Sequence, residues 1–82
     1  MSKQQIFEII VGHILELLPE LEGHTFHPED QLKDLGANSL DRAEIVMMTM
    51  ESLGLQIPRV EFANVKNIGE LAEVFYAKAT AV

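Results

Sequence analysis

The sequence contains no cysteine. Disulfides, thiolate metal ligands and a nucleophilic thiol of the chain's own are thereby excluded, so any chemistry here uses other groups. Basic residues are scarce as well: 6 Lys and Arg stand against 13 Asp and Glu, a formal charge of −7. That balance disfavours the phosphate backbone of nucleic acid and anionic membrane surfaces, and it favours basic partners. Long apolar runs are missing too. The stretch after the N-terminus is interrupted by Glu8, His13 and Glu16, unlike an export signal. No segment approaches the roughly 18 consecutive apolar residues that suggest a bilayer span. The expectation is a soluble, cytoplasmic, monomeric protein with no nucleic-acid and no membrane partner. What is plentiful is apolar material, 48% of the chain, enough to fold where a disordered acidic tail would not. With 82 residues there is room for one small core, so 1–82 reads as a single domain.

Ser2-Lys3-Gln4-Gln5 has the form of a capping box, and Phe7, Ile10, Val11, Ile14 and Leu18 follow at three- and four-residue steps. The spacing predicts a helix from Lys3 to Leu18, ended where Pro19 denies the next turn its amide donor. From Pro19 to Leu35 no period holds. Gly23 and Pro28-Glu29-Asp30 signal a loop, with Phe26, Leu32 and Leu35 as apolar pins to the core. It exceeds the roughly 12 to 15 residues beyond which structureless loops become uncommon, and such loops are usually functional or disordered. Gly36-Ala37-Asn38-Ser39 then reads as a turn and N-cap signal before a helix from Leu40 to Leu53, closed by Gly54. Pro58 to Val65 allows one or two helical turns. Asn67, with Glu70 three residues on, caps a last helix from Ile68 to Lys78, striped by Ile68, Leu71, Ala72 and Phe75. No run alternates as a strand does. The expected fold class is all-α, a small four-helix bundle of three principal helices plus a short third one.

On a helical wheel, Ile45, Val46, Thr49 and Leu53 form the natural core face of Leu40 to Leu53, and Leu40, Ala43, Met47 and Met50 cluster beside them. The combined apolar arc is wider than the roughly 100° stripe that one core contact demands, so part of it should be exposed. Met47, Met48 and Met50 lie within four residues, flanked by acids. Methionine recurs at surfaces that accept several partners, and acidic flanks steer basic ones. The plainer alternative is a central helix buried on more sides than its neighbours.

Ser39 has a plain reading as well, an ordinary N-cap. As a nucleophile it would need a base, and nothing in the sequence ties His13, His24 or His27 to it. What the position does offer is an anion site, because helix N-terminal amides and the macrodipole favour a phosphate there. His24 and His27 could present two imidazoles, but no third ligand with recognisable spacing accompanies them. Asp30 and Asp34 lack the register of a calcium loop. No metal site and no catalytic residue is assigned.

Asp34-Leu35-Gly36-Ala37-Asn38-Ser39-Leu40-Asp41 resembles the phosphopantetheine attachment motif of acyl carrier proteins, whose usual core is Gly-x-Asp-Ser-Leu. The order of helix, long loop, motif serine, Leu55-Gln56-Ile57-Pro58, short third helix and last helix is similar to that family over nearly the whole chain. The resemblance implies 4′-phosphopantetheine, taken from coenzyme A and esterified to Ser39 by a separate phosphopantetheinyl transferase, with the acyl group held as a thioester on its terminal thiol. It implies a non-catalytic carrier that docks through Asn38, Leu40, Asp41, Arg42, Glu44, Met47 and Glu51. It also implies an apolar wall for the acyl chain at Val46, Thr49, Leu53, Ile57 and Val65. Three positions depart from the pattern: Asn38 stands where Asp is usual, Thr49 where a large aliphatic residue is common, and Arg42 on a surface expected to be acidic.

Gly36 to Glu44, followed by Glu61-Phe62-Ala63-Asn64-Val65-Lys66-Asn67-Ile68, is similar to freestanding donor carriers of polyketide β-branching cassettes. In that family an acyltransferase and a decarboxylating ketosynthase-like enzyme turn a carrier-bound malonyl unit into acetyl. A 3-hydroxy-3-methylglutaryl (HMG) synthase-like enzyme then adds the acetyl to a β-keto group on another carrier. A general fatty acid or peptide-synthesis carrier is the alternative within the same chemistry. An unmodified helical interaction module, with Ser39 only a cap, is the alternative outside it.

Overall fold

Three helices carry the fold in the computed structural model, which describes residues 1–80: α1 (Lys3–Leu17), α2 (Ser39–Leu53) and α3 (Ile68–Thr80). The capping box forms as the sequence predicts. The Gln5 amide donates to the Ser2 hydroxyl at 3.2 Å, and the Ser2 amide donates to Gln5 Oε1 at 2.7 Å. The buried ridge of α1 runs in four-residue steps through Ile6, Ile10 and Ile14 and continues to Leu18 just past its end. Phe7 and Val11 sit half-buried at its margins. α1 packs on both α2 and α3, and Ile45, Ile68, Leu71, Ala72 and Phe75 close the core from those two helices. Each large side chain so enclosed contributes about 1.5–3 kcal/mol of transfer free energy.

The long loop is ordered by two 3-10 turns, Pro19–Leu21 and Leu32–Leu35, and Phe26, Leu32 and Leu35 pack against the core. Between the turns its backbone is stapled to the first turn of α3. The Ile68 amide donates to the Asp30 carbonyl at 3.0 Å and the Gly69 amide to the Pro28 carbonyl at 2.8 Å, so loop carbonyls satisfy donors that a helix start leaves open. Glycine permits this approach, since a Cβ at position 69 would lie 2.8 Å from Pro28 Cβ and 3.1 Å from its carbonyl oxygen. A Gly69→Ala variant is therefore expected to lose about 1–3 kcal/mol of stability by overpacking, read as a lower urea midpoint. An unchanged midpoint would show that the staple yields freely.

Within the same loop the His27 amide donates to the Asp30 carboxylate at 2.9 Å, and the His24 ring lies 3.4 Å away. The backbone hydrogen bond first, then the histidines, hold the Asp30 carboxyl below its ordinary range. A lowered folded-state value adds stability above the unfolded-state value and loses it as pH falls through the folded one. Asp30→Asn should thus flatten the acid limb of the stability profile below about pH 4, as midpoints measured across that range would report. A limb as steep as in the unsubstituted protein would assign the acid sensitivity elsewhere.

The described residues are all-helical as the sequence predicts, although α1 ends at Leu17, α2 begins at Ser39 and α3 runs to Thr80, and the short third segment differs in kind. The short third segment is a single 3-10 turn, Arg59–Phe62, following Pro58. It closes by three-residue-step bonds, the Glu61 amide to the Pro58 carbonyl at 3.0 Å and the Ala63 amide to the Val60 carbonyl at 3.2 Å. So short a segment cannot repay the cost of nucleating an α-helix. Its Phe62 ring packs against Phe75 of α3 with centroids 5.3 Å apart.

Candidate functional site

The turn Leu32–Leu35 ends in Gly36, whose φ of 99° is left-handed and resisted by residues with a Cβ. The Ala37 amide returns to the Leu32 carbonyl at 3.1 Å, and Ala37 itself is buried, which pins the reversal. Asn38 follows as the N-cap of α2. The Asp41 amide donates to the Asn38 side-chain oxygen at 2.8 Å, and the Asn38 amide donates to the Asp41 carboxylate at 3.3 Å. The cap thus falls on Asn38, because its side chain reaches the third helical amide while Asp41 reaches back. An Asp at position 38 would set two carboxylates in one reciprocal box; Asn avoids that repulsion.

Ser39 is consequently the first residue of α2 and its hydroxyl has no capping duty. It is exposed and makes no hydrogen bond among the described residues. Reading Ser39 as merely a cap therefore loses its physical basis. None of the three histidines lines the cleft beside it. The Nε2 of His13 is 2.8 Å from the Ser52 hydroxyl, tying α1 to α2, and His24 meets the Phe26 ring edge-on. Among the described residues no group of three or more His, Cys, Asp or Glu is placed to hold a metal ion. No helix of the described residues is long and apolar enough to cross a membrane.

The exposed face of α2 is apolar at its centre. Leu40 is 80% exposed and Met47 53% exposed, a poor placement for such side chains unless something covers them. Asn38, Glu44 and Glu51 are exposed around them, while Asp41 and Arg42 are half-buried. On the opposite face Ile45 and Thr49 are fully buried, and the Thr49 hydroxyl donates to the Ile45 carbonyl at 2.8 Å. That local bond lets a polar side chain sit in the core without an unsatisfied donor.

Between α2, the turn Arg59–Phe62 and the start of α3 lies a cleft of ≈ 970 Å³ with Ser39 in its wall. Val46, Met50, Phe62, Val65 and Leu71 give it an apolar lining. Of the five residues expected along an acyl wall, Val46 and Val65 line this cleft. Thr49 and Ile57 are buried in the core, and Leu53 packs half-buried against it. Sequence reasoning missed Val60, 74% exposed on the cleft rim, and also Lys33, Arg59 and Lys66 in the lining. These four lie outside the helices, where no periodicity marks a shared face.

A family model described as the phosphopantetheine attachment site matches residues 8–75. The chain is 63% identical over 78 residues to the polyketide biosynthesis acyl-carrier-protein AcpK of Bacillus subtilis (strain 168), covering 95% of each. It is 35% identical over 69 residues to an acyl carrier protein of Helicobacter pylori (strain G27), covering 83% of this chain and 87% of that one. Among solved structures it resembles a chain of the crystal structure of the curacin biosynthetic pathway HMG synthase in complex with acetyl donor-ACP. The TM-score is 0.90 at 55% identity, covering 95% of this chain and 100% of the other.

Proposed function

We propose the acetyl-donor role for this chain, which belongs to the phosphopantetheine attachment family and is an acyl carrier protein of polyketide biosynthesis. Its cofactor is covalently attached 4′-phosphopantetheine, whose terminal thiol supplies what the cysteine-free chain lacks, a sulfur to hold an acyl group as a thioester. The attachment residue is Ser39, within a single carrier domain. Three observations support that assignment: an exposed, unbonded hydroxyl, a position on the first turn of α2, and a place in the cleft wall. A helix leaves its first amides without intrahelical acceptors, and those amides with the macrodipole favour a phosphate at that point. The residues present therefore fit the group.

The observation that carries the donor role is the likeness, at 55% identity over 95% of this chain, to a chain of a complex between an HMG synthase and its acetyl donor. The partner is accordingly an HMG synthase-like enzyme. A phosphopantetheinyl transferase attaches the arm, and an acyltransferase with a decarboxylating ketosynthase-like enzyme supplies the acetyl group. These enzymes meet the face formed by Asn38, Leu40, Asp41, Arg42, Glu44, Met47 and Glu51.

Leu40 and Met47 supply the apolar anchors of that face and the acids steer the approach. Burying a Leu side chain is worth about 1.5–3 kcal/mol, and each 1.4 kcal/mol is tenfold in affinity. Leu40→Ala with Met47→Ala should therefore slow acetyl transfer to the synthase-like partner by about tenfold or more, with the helical circular dichroism unchanged. Loss of the helical signal would return both side chains to the core, and an unchanged transfer rate would move docking to another face.

A further inference from the structure

The cleft beside Ser39 is electrostatically opposite to the rest of the protein. Of the 6 Lys and Arg in the chain, Lys33, Arg42, Arg59 and Lys66 line it, and not one of the 13 Asp and Glu does. The other two cations, Lys3 and Lys78, pair with Glu73 and Glu61. The four in the cleft form no ion pair among the described residues. They come from separate segments: Lys33 from the turn before Gly36, Arg42 from α2 one turn beyond Ser39, Arg59 from the 3-10 turn, and Lys66 from the link into α3. Lys33, Arg59 and Lys66 are exposed and Arg42 is half-buried, so the apolar lining is edged by cations that no carboxylate in the cleft neutralises. That combination fits a ligand with an apolar or weakly polar body and an anionic end.

We infer that the cleft holds an acyl group ending in a carboxylate, tethered at Ser39 and bound through Lys33, Arg59 and Lys66, and that it does not hold the neutral acetyl group. The inference rests on Ser39 bearing the arm. Exposed ion pairs are individually weak. A tether removes that difficulty, because a short flexible linker presents its end at an effective concentration on the order of millimolar, enough to fill a weak site. Arg42, three residues beyond Ser39 on α2, is the cation nearest the attachment residue in sequence and is left to the phosphodiester end of the arm, while Lys33, Arg59 and Lys66 line the cleft from other segments. The consequence is a charge-controlled release. When a malonyl group is decarboxylated, the bond between its α-carbon and the carboxylate breaks. Carbon dioxide leaves, and the bonding pair on the α-carbon takes up a proton from solvent. The acetyl thioester that remains has no anion for the rim and is free to reach a partner.

The test loads the full chain from the matching coenzyme A thioesters into malonyl, acetoacetyl and acetyl forms, each verified by intact mass. Acetoacetyl has the size of malonyl with a methyl group in place of the carboxylate oxygen. Amide and side-chain nitrogen NMR shifts are then compared. Malonyl alone should shift the signals of Lys33, Arg59 and Lys66. Those shifts should vanish in K33Q/R59Q/K66Q and in 1 M salt, where the screening length falls to about 3 Å, while the acetoacetyl spectrum keeps its dispersion in both. Equal shifts for malonyl and acetoacetyl, shifts already complete in the unacylated arm-bearing form, or none in any form would overturn the inference. Failure to load any form at Ser39 would instead reject the carrier assignment beneath it.

Discussion

Ser39→Ala should take up no phosphopantetheine from coenzyme A in the presence of a broad-range phosphopantetheinyl transferase, while the unsubstituted chain gains the mass of one. The effect is all-or-none because the cofactor needs a hydroxyl to esterify. The serine is also dispensable to the fold. Capping of α2 is performed by Asn38 and Asp41, with the Asp41 amide 2.8 Å from the Asn38 oxygen, and the Ser39 hydroxyl bonds nothing among the described residues. Removing an exposed, unbonded hydroxyl costs within about 0.5 kcal/mol, and alanine is the better helix former. The variant should therefore keep its urea midpoint as it loses the adduct. An adduct that persists in the alanine variant would move the attachment site to another hydroxyl, and a collapsed midpoint would restore Ser39 to a structural role.

Phe75→Ala has the largest expected effect on stability. Phe75 is fully buried in α3 and packs against Phe62, whose other surroundings include the cleft. Truncating a buried Phe removes its transfer free energy and leaves a cavity, a loss of about 3–5 kcal/mol. Small domains hold only about 5–15 kcal/mol in total, so the variant should be near the edge of folding. The turn Arg59–Phe62 should loosen first, since the aromatic pair ties it to α3. A fall in the denaturation midpoint of that size, and broadened NMR signals at residues 59–62, are the expected readouts. A loss under about 1 kcal/mol would mean that the core re-closes without the ring.

The helices were legible because side-chain periodicity and caps write them locally. Ser2 with Gln5 announces α1, and the pair forms as read. Asn67 also caps as read, its side-chain oxygen accepting from the Glu70 amide at 2.8 Å, although Glu70 reaches back to the Lys66 amide at 2.7 Å. At α2 the reading missed by one residue, because Asn38 and Ser39 are both competent caps and only the partnership with Asp41 decides between them. The pinning of the loop to α3 was not legible. The bonds from Ile68 and Gly69 to Asp30 and Pro28 join backbone to backbone, and no side-chain pattern encodes them. The wide apolar arc of α2 correctly implied exposure, now seen at Leu40 and Met47. The cationic cleft was invisible for a different reason: its members come from four segments that only the tertiary fold brings together. A net charge of −7 describes the sum and conceals where the positive residues go.

The most direct test of the account is the rate at which the acetyl-loaded chain acetylates an HMG synthase-like enzyme of a β-branching pathway, set beside an acetyl-loaded fatty acid carrier under identical conditions. Both deliver the same acetyl group on the same arm, so any difference belongs to the protein surface. The account predicts faster transfer from this chain, with the advantage removed by Leu40→Ala and Met47→Ala together. Equal rates from the two carriers would contradict it.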